Sequence, residues 1–513
     1  MSKRAHSVLA VLVFAAAISF VPARIVSSQT APAVSLSAEE KAVIERVSED
    51  SLKGNLSFIA SDLLEGRATP SRGLDLAAEY IAAQFRRAGI EPAVDNGYFQ
   101  TVTWKLSEPV LDDFDLKIIN GPAAADTIVL KPSQVTYQSD NRLMIDNALV
   151  FKVDASKLDV EKPTEADVAG KVIVLDAIGP NLQSAVTALI PLNALAILVI
   201  DRTSGTGRGA GAVRLTDPAN PRPQPATPTN PPIRIHDPRL GAWFDALPLG
   251  VTTAKLNIRG AGRRESDVNM RNVIGILRGS DPVLKDTYVL VTAHYDHIGM
   301  RPELEGDKIF NGANDDGSGT VSVIELANAL SRSKPKRSIV FMTFFGEERG
   351  LLGSRYYGRS PVFPLKKTIA DINLEQVGRS DSTEGSQVNR ASITGFDFSD
   401  LGPIFKRAGE AVGIEVYKHE RNSDAFFGRS DNQALADAGV PAHTLCVAFE
   451  YSDYHGRGDH WDKIDYPNLA RTTRMVALAL MAIANSSDTP KWNAENPKTA
   501  KYMEAWKKLQ ESN

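Results

Sequence analysis

The chain has 513 residues, 43% hydrophobic and 23% charged, the composition of a large globular protein with room for about three or four structural units. Lysine and arginine number 58 against 62 acids, a formal charge of −4, which excludes the basic excess of a nucleic-acid binder. The single cysteine, Cys446, excludes an internal disulfide, a CxxC redox pair and a cysteine-built zinc site, so any metal must be held by His, Asp and Glu.

Lys3 and Arg4 precede an apolar run from Val8 to Val21. That run is shorter than the ~20 residues needed to span a bilayer and has the length of a signal-peptide core. Cleavage is expected before Gln29, with Ala23 marking a second candidate. Removing residues 1–28 takes away Lys3, Arg4 and Arg24 and no acid, leaving a more acidic chain. The protein is expected to be periplasmic or secreted, without stable membrane association; a disulfide-free exported chain suits a bacterial periplasm or secretion.

Ser37 and Glu40 read as a capping box that opens a helix through Val47 and beyond. A second helix is predicted over Leu74–Arg87, with Leu76, Tyr80, Ile81 and Phe85 on one face and Gly89 ending it. From about Asp126 to Gly260 the texture changes to short β-like runs and long polar loops, with buried strands predicted at Lys171–Leu175 and Ala196–Ile200. Pro218–Pro232 holds seven prolines in 15 residues and reads as an extended surface loop. After Asp267 strands at Val273–Leu277, Tyr288–Thr292, Ile339–Phe345 and Val440–Val447 alternate with helices at Thr320–Leu330 and Leu469–Ala484. This alternation predicts an α/β class with a mixed, mostly parallel sheet sandwiched by helices. The last 25 residues or so, rich in Lys, Glu and Trp, read as a surface helix or tail.

In such sheets, sites form where strands end. Of eight histidines, six lie between His294 and His460. Strand 288–292 runs into Ala-His294-Tyr-Asp296-His297; next comes Asn311-Gly-Ala-Asn-Asp315-Asp316-Gly-Ser-Gly at a helix start. Strand 339–345 ends in Gly346-Glu347-Glu348-Arg349-Gly350, the segment Ile369–Leu374 ends in Glu375, and Asp453-Tyr454-His455-Gly-Arg-Gly-Asp459-His460 precedes the last helix. These clusters would converge on one rim. Imidazole and carboxylate suit Zn²⁺, and a carboxylate can bridge two ions. A metal pair clamps the attacking and departing oxygens of a hydrolysis, and the adjacent pair Glu347–Glu348 offers one ligand and one base.

The order and spacing of these motifs resemble the co-catalytic zinc aminopeptidases and carboxypeptidases of metallopeptidase clan MH, in the branch with an inserted protease-associated domain. Ser61-Asp-Leu-Leu-Glu-Gly-Arg67 resembles a signature before the insert, and Asp167-Val-Ala-Gly-Lys-Val-Ile-Val-Leu175 resembles the start of the insert's core. The resemblance implies a zinc peptidase fold of the phosphorylase/hydrolase type with a β-rich insert and two zinc ions per chain. It divides the chain into a signal peptide (1–28), an N-terminal part of the peptidase unit (35–124), the protease-associated insert (125–262), the catalytic unit (263–487) and a tail (488–513). One zinc would take His294 and Glu375, the other Glu348 and His455, with Asp315 bridging. Glu347 would be the general base and later the acid that protonates the leaving amine. Asp296 would orient His294 by accepting its other ring N–H, and Tyr454 would act as an oxyanion donor. The chain departs from the family pattern at Glu375, where Asp is commonest, at His460, which replaces a small hydroxyl residue, and at Asn432, where His is common.

Competing motifs fail. Gly205-Thr-Gly207-Arg-Gly-Ala210 precedes proline-rich sequence rather than a helix, so a dinucleotide cradle is missing; neither G-x-S-x-G nor HExxH occurs. His297 and His460 read as residues of the site rim or hydrogen-bonded structural residues, His419 and His443 as structural, and Cys446 as a buried thiol. The expected function is an exported dizinc exopeptidase that hydrolyses N-terminal residues from peptides by attack of a metal-bound hydroxide. Alternatives are a carboxypeptidase, dipeptidase or glutaminyl cyclase of the same fold or, in another class, a non-catalytic receptor-like binding protein.

Overall fold

The computed structural model describes residues 35–511 apart from 95–96, 111–113, 120–126, 137–141, 159, 177–181, 203–212, 221–231, 261 and 303. The run read as a signal-peptide core and its expected cleavage sites, the glycine-rich segment 205–210 and most of the proline-rich stretch lie outside the described residues.

Ser338–Phe344 and Thr368–Leu374 are buried along their whole length, and Tyr288–His294 is buried from its second residue on. Runs without a solvent face fit only inside a sheet covered on both sides. They pair in parallel: 288–294 lies between 338–344 and 368–374, and 368–374 also pairs with Ala442–Cys446. The register sets His294 beside Phe344 and Thr292 beside Asn373, so these strands finish on one edge. Antiparallel strands flank this middle: Arg263–Leu277 beside 338–344, Phe99–Pro109 beside 263–277, and Arg390–Ile393 beside 442–446. The α/β class with a mixed sheet is therefore as expected.

The helix Ser318–Leu330 starts at the strand-end edge and is buried on every side except at Asn328. The capping box forms, with Ser37 N–H donating to Glu40 Oε2 at 2.7 Å and Glu40 N–H to Ser37 Oγ at 3.2 Å. Its helix stops at Arg46 rather than running beyond Val47, because Ser48 caps a new helix over Glu49–Ile59. The helix Arg72–Ala88 ends at Gly89 with φ +77°, as the sequence predicts. Its buried stripe is Leu74, Ala78, Ile81 and Phe85, whereas Leu76 is 40% exposed; two residues from Leu74, it points about 200° around the helix.

A second sheet is built from 115–260, with strands in the order 127–130, 115–119, 250–260, 143–152, 172–176, 196–201, 233–236 and 135–136. One face buries Leu116, Val150, Val174, Leu198 and Leu256; the other buries Ile173, Leu175, Ile197 and Val199 with the helix Leu182–Leu189. This sheet starts at Asp115, earlier than the boundary at 125 read from the sequence, because Asp115–Ile119 pairs with residues 255–259, far along the chain. Phe99–Pro109 leads out of the main sheet and Arg263–Leu277 leads back, paired from Phe99↔Val273 to Pro109↔Arg263. Arg214–Thr216 leaves the second sheet and pairs with 105–107 of the main one. The tail forms the helix Ala500–Glu511, docked through Tyr502 stacked on Trp492 at 4.9 Å.

Candidate metal centre

Each cluster read from the sequence sits just past a strand of the main sheet or at the start of the buried helix. His294 is the last residue of its strand. Asp315 lies in the tight turn before Ser318, entered through Gly312 at φ +58°, where a Cβ would stand 2.4 Å from the His297 ring. Glu347 and Glu348 occupy a single helical turn bounded by Gly346 and Gly350. Glu375 follows Leu374 and donates its N–H to Leu445 O at 3.1 Å. His455 comes from the loop after strand 442–446 with φ +51°.

Asp315 is the pivot. Its Oδ1 is 3.3 Å from His294 Nε2 and its Oδ2 is 3.0 Å from His455 Nε2. His455 Nε2 is also 3.2 Å from Glu348 Oε1. His294, Asp315 and Glu375 bring one potential ligand atom each to within 4.8 Å of one another. A second such group is His297, Asp315 and Glu348, so His297, read from sequence as a rim residue, lies among the ligand atoms, with Nδ1 2.8 Å from Glu348 Oε1. His460 points elsewhere, 3.5 Å from Asp307, and His443 is buried against Ser399 and Thr394.

The donor set fits a pair of cations. His294 Nε2, His297 Nε2 and Glu375 Oε2 are buried without a hydrogen-bond partner, an arrangement that costs about 1–3 kcal/mol per group if nothing fills it. His294 Nδ1 lies 3.1 Å from the carbonyl of Asp296; a carbonyl only accepts, so the proton sits on Nδ1. Nε2, 3.3 Å from Asp315 Oδ1, is then the nitrogen that a cation, either a second proton or a metal, would occupy. Left to themselves the groups titrate abnormally. Burial opposes charging His294, but Asp296 and Asp315 outweigh it and raise its pKa. The adjacent carboxylates of Asp315 and Glu348 push His455 up to about 10. Burial pushes Glu375 up to about 7 and Glu347 well above the usual carboxylate range.

Asp296 differs from the sequence expectation. Its main-chain carbonyl, not its carboxylate, takes the His294 ring N–H; Oδ1 is 3.5 Å from Nδ1. The carboxylate instead accepts Glu347 N–H at 3.0 Å and Thr69 Oγ1–H at 2.9 Å. Tyr454 is 43% exposed and stacked on His455 at 4.2 Å. Two residues escaped the sequence reading. Asp316, fully buried, accepts N–H groups from Gly319, Gln376 and His294 at 3.0–3.3 Å, tying three site segments together. Asn314 Oδ1 accepts Gly378 and Arg379 N–H at 2.8 Å. The only sequence signal for either was its place in the Asn-Asp-Asp run.

Residues 272–480 match the model of Peptidase family M28. The matched stretch is the one that carries the candidate ligand motifs, in line with the resemblance read from motif order. A probable zinc metalloprotease of Pyrenophora teres f. teres is 40% identical over 244 residues, 44% of this chain and 50% of that one. Leucine aminopeptidase 2 of Arthroderma otae is 27% identical over 241 residues, 42% of this chain and 45% of that one. The chain spans about half the length of the curated relatives it matches. An aminopeptidase from Aneurinibacillus sp. strain AM-1 shares the fold, with a TM-score of 0.53 at 20% identity over 88% of this chain and 100% of that one. So does BSAP, a zinc aminopeptidase from Bacillus subtilis, with a TM-score of 0.53 at 18% identity over 86% and 96%.

Proposed function

We propose that this protein is an exported dizinc aminopeptidase that removes N-terminal residues from peptides, its 115–260 unit being a protease-associated domain. The observation that carries the reading is Asp315, whose two oxygens face histidines from two separate segments. His294, Asp315 and Glu375 would hold one zinc, and Asp315, Glu348 and His455 the other. Bound there, zinc supplies a Lewis acid that makes water a nucleophile near neutral pH and polarises a peptide carbonyl.

Glu347 stands outside both ligand groups, with Oε2 3.9 Å from His294 Nε2. Its carboxylate takes the proton of the attacking water and returns it to the departing amine. Asp296 fixes the turn that presents it through the Glu347 N–H. The Tyr454 phenol has no hydrogen bond among the described residues, and burial beside the site acids holds its pKa up, so it stays protonated to donate to the carbonyl oxygen as charge develops. The charged partners seen for Asp315, Glu347 and Glu348 among the described residues are histidines. A site carboxylate not taken up by a metal would favour a substrate's free α-ammonium group over a C-terminal carboxylate.

Metal analysis and hydrolysis of short peptides with free C-termini, N-terminally free or N-acetylated, test the reading. Two zinc ions per chain and cleavage of free substrates only are expected. Glu347→Gln should keep the zinc and lose roughly 10²–10⁴ in kcat. Cleavage of blocked substrates alone would turn the assignment to a carboxypeptidase, and full turnover by Glu347→Gln would remove its role.

A further inference from the structure

The backbone that delivers Asp315 is gripped from two sides by buried charged residues from distant parts of the chain. Arg67 donates from Nη1 to Asn311 O at 2.6 Å, from Nη2 to Gly312 O at 2.9 Å, and from Nε to Tyr295 O, the residue after His294, at 2.8 Å. A further bond runs from Nη1 to Ile59 O at 2.7 Å. On the other side, the Asp459 carboxylate accepts Asn314 N–H at 3.0 Å, Asp315 N–H at 3.2 Å and Tyr451 O–H at 3.0 Å, and its carbonyl accepts Ala313 N–H at 3.1 Å. Both side chains are fully buried. The guanidinium holds two carbonyls of this segment and the aspartate three of its amides.

Arg67 is unusual for a buried arginine, which normally forks onto a carboxylate. Among the described residues it forms no ion pair, and its hydrogen bonds all end on main-chain carbonyls. Burial draws its pKa down to about 10, against the pull of Asp296, Asp459, Asp315 and Asp316, so it is charged at neutral pH. It therefore offsets the repulsion among the site acids through space and leaves their oxygens free. An arginine salt-bridged to Asp315 would compete with a metal for the same lone pairs. The backbone is bent to bring it in: Glu65, Gly66 and Arg67 all have positive φ, at +49°, +70° and +50°, a local cost typical of functional segments. A Cβ at Gly66 would lie 2.4 Å from Phe310 O.

We propose that Arg67 and Asp459 are positioning residues of the metal centre, fixing the Asp315 segment between them so that its carboxylate stands between the two candidate ligand groups, with Arg67 supplying charge without occupying a ligand. The proposal rests on the dizinc reading above. Arg67→Lys keeps the charge but gathers its donors on one nitrogen, which cannot reach carbonyls of three segments. The Arg67→Lys holoenzyme should bind zinc about 10–100-fold more weakly in chelator competition. Its cobalt-substituted form should show shifted visible absorption bands, and kcat should fall more than KM changes. A variant that only melts earlier, with wild-type zinc affinity and cobalt spectrum, overturns the proposal. If Arg67→Lys does not fold, the near-isosteric Asp459→Asn carries the same test with the same outcomes. A wild-type chain that takes up no metal defeats the dizinc reading itself; two metals in both wild type and Arg67→Lys, bound equally tightly, defeat only the positioning role.

Discussion

In the 115–260 unit, parallel strands end on acids much as they do in the main sheet, but arginines meet them. Arg202 Nη2 lies 2.5 Å from Asp176, the last residue of strand 172–176, and 2.5 Å from Asp245. Arg234 and His236 stand 3.6 and 3.4 Å from Asp201, at the end of strand 196–201. In the main sheet the buried Arg67 spends its donors on carbonyls, and the charged partners of Asp315 and Glu348 among the described residues are imidazoles. Parallel strands deliver acids to an edge in both units. On the proposed function, what separates the two edges is whether the chain provides its own cation or leaves the place to a metal.

The contrast breaks most visibly at Glu375. Glu375→Ala should lower the metal content below two per chain and cut kcat/KM by about 10³-fold, the equivalent of several kcal/mol of lost Lewis-acid stabilisation. Metal analysis and anilide hydrolysis on one preparation check this, and unchanged values would erase the distinction between the sheets. A buried imidazole away from the acids sharpens it. His443 lies against Ser399 Oγ at 2.7 Å and Thr394 O at 2.8 Å, and burial draws its pKa down to about 4. The folded protein keeps this ring neutral, while the unfolded chain protonates it below about pH 6.5. The stability it contributes is present above pH 6.5 and lost as the pH falls toward 4, on the order of 3 kcal/mol. Urea unfolding of wild type and His443→Asn across that window should show wild type losing more, and parallel curves would contradict the assignment. The smallest effect belongs to the insert. Arg202→Ala should cost roughly 1 kcal/mol in thermal or urea unfolding, because its side chain is 31% exposed and the pair is screened. Zinc content and kcat should not move, and a loss of metal there would mean that the two edges are not independent.

Much of the main sheet could be read in advance because its constraints are local and chemical. Strands such as 338–344 and 368–374 are buried along their whole length, and the candidate ligands His294, Asp315, Glu348, Glu375 and His455 are of residue types with few substitutes. The rest depends on partners far away in sequence. Asp115–Ile119 finds its neighbour near residue 257, so nothing in those five residues marks them as part of the second unit. The proton acceptor for His294 proved to be a carbonyl, an option available at every residue and therefore silent in the sequence. Arg67 could be quoted as part of a signature, but its four carbonyl partners come from Ile59, Tyr295, Asn311 and Gly312, and only the fold brings them together.

Arg214–Thr216 closes the flank of Phe99–Pro109 by pairing with residues 105–107. An uncovered strand at the margin of a sheet is a template on which another chain can add itself. Here the covering piece is three residues long and is supplied by the second unit. A truncated form lacking that unit would thus present bare ladder groups along 105–107 and invite self-association even with its strand ends in order.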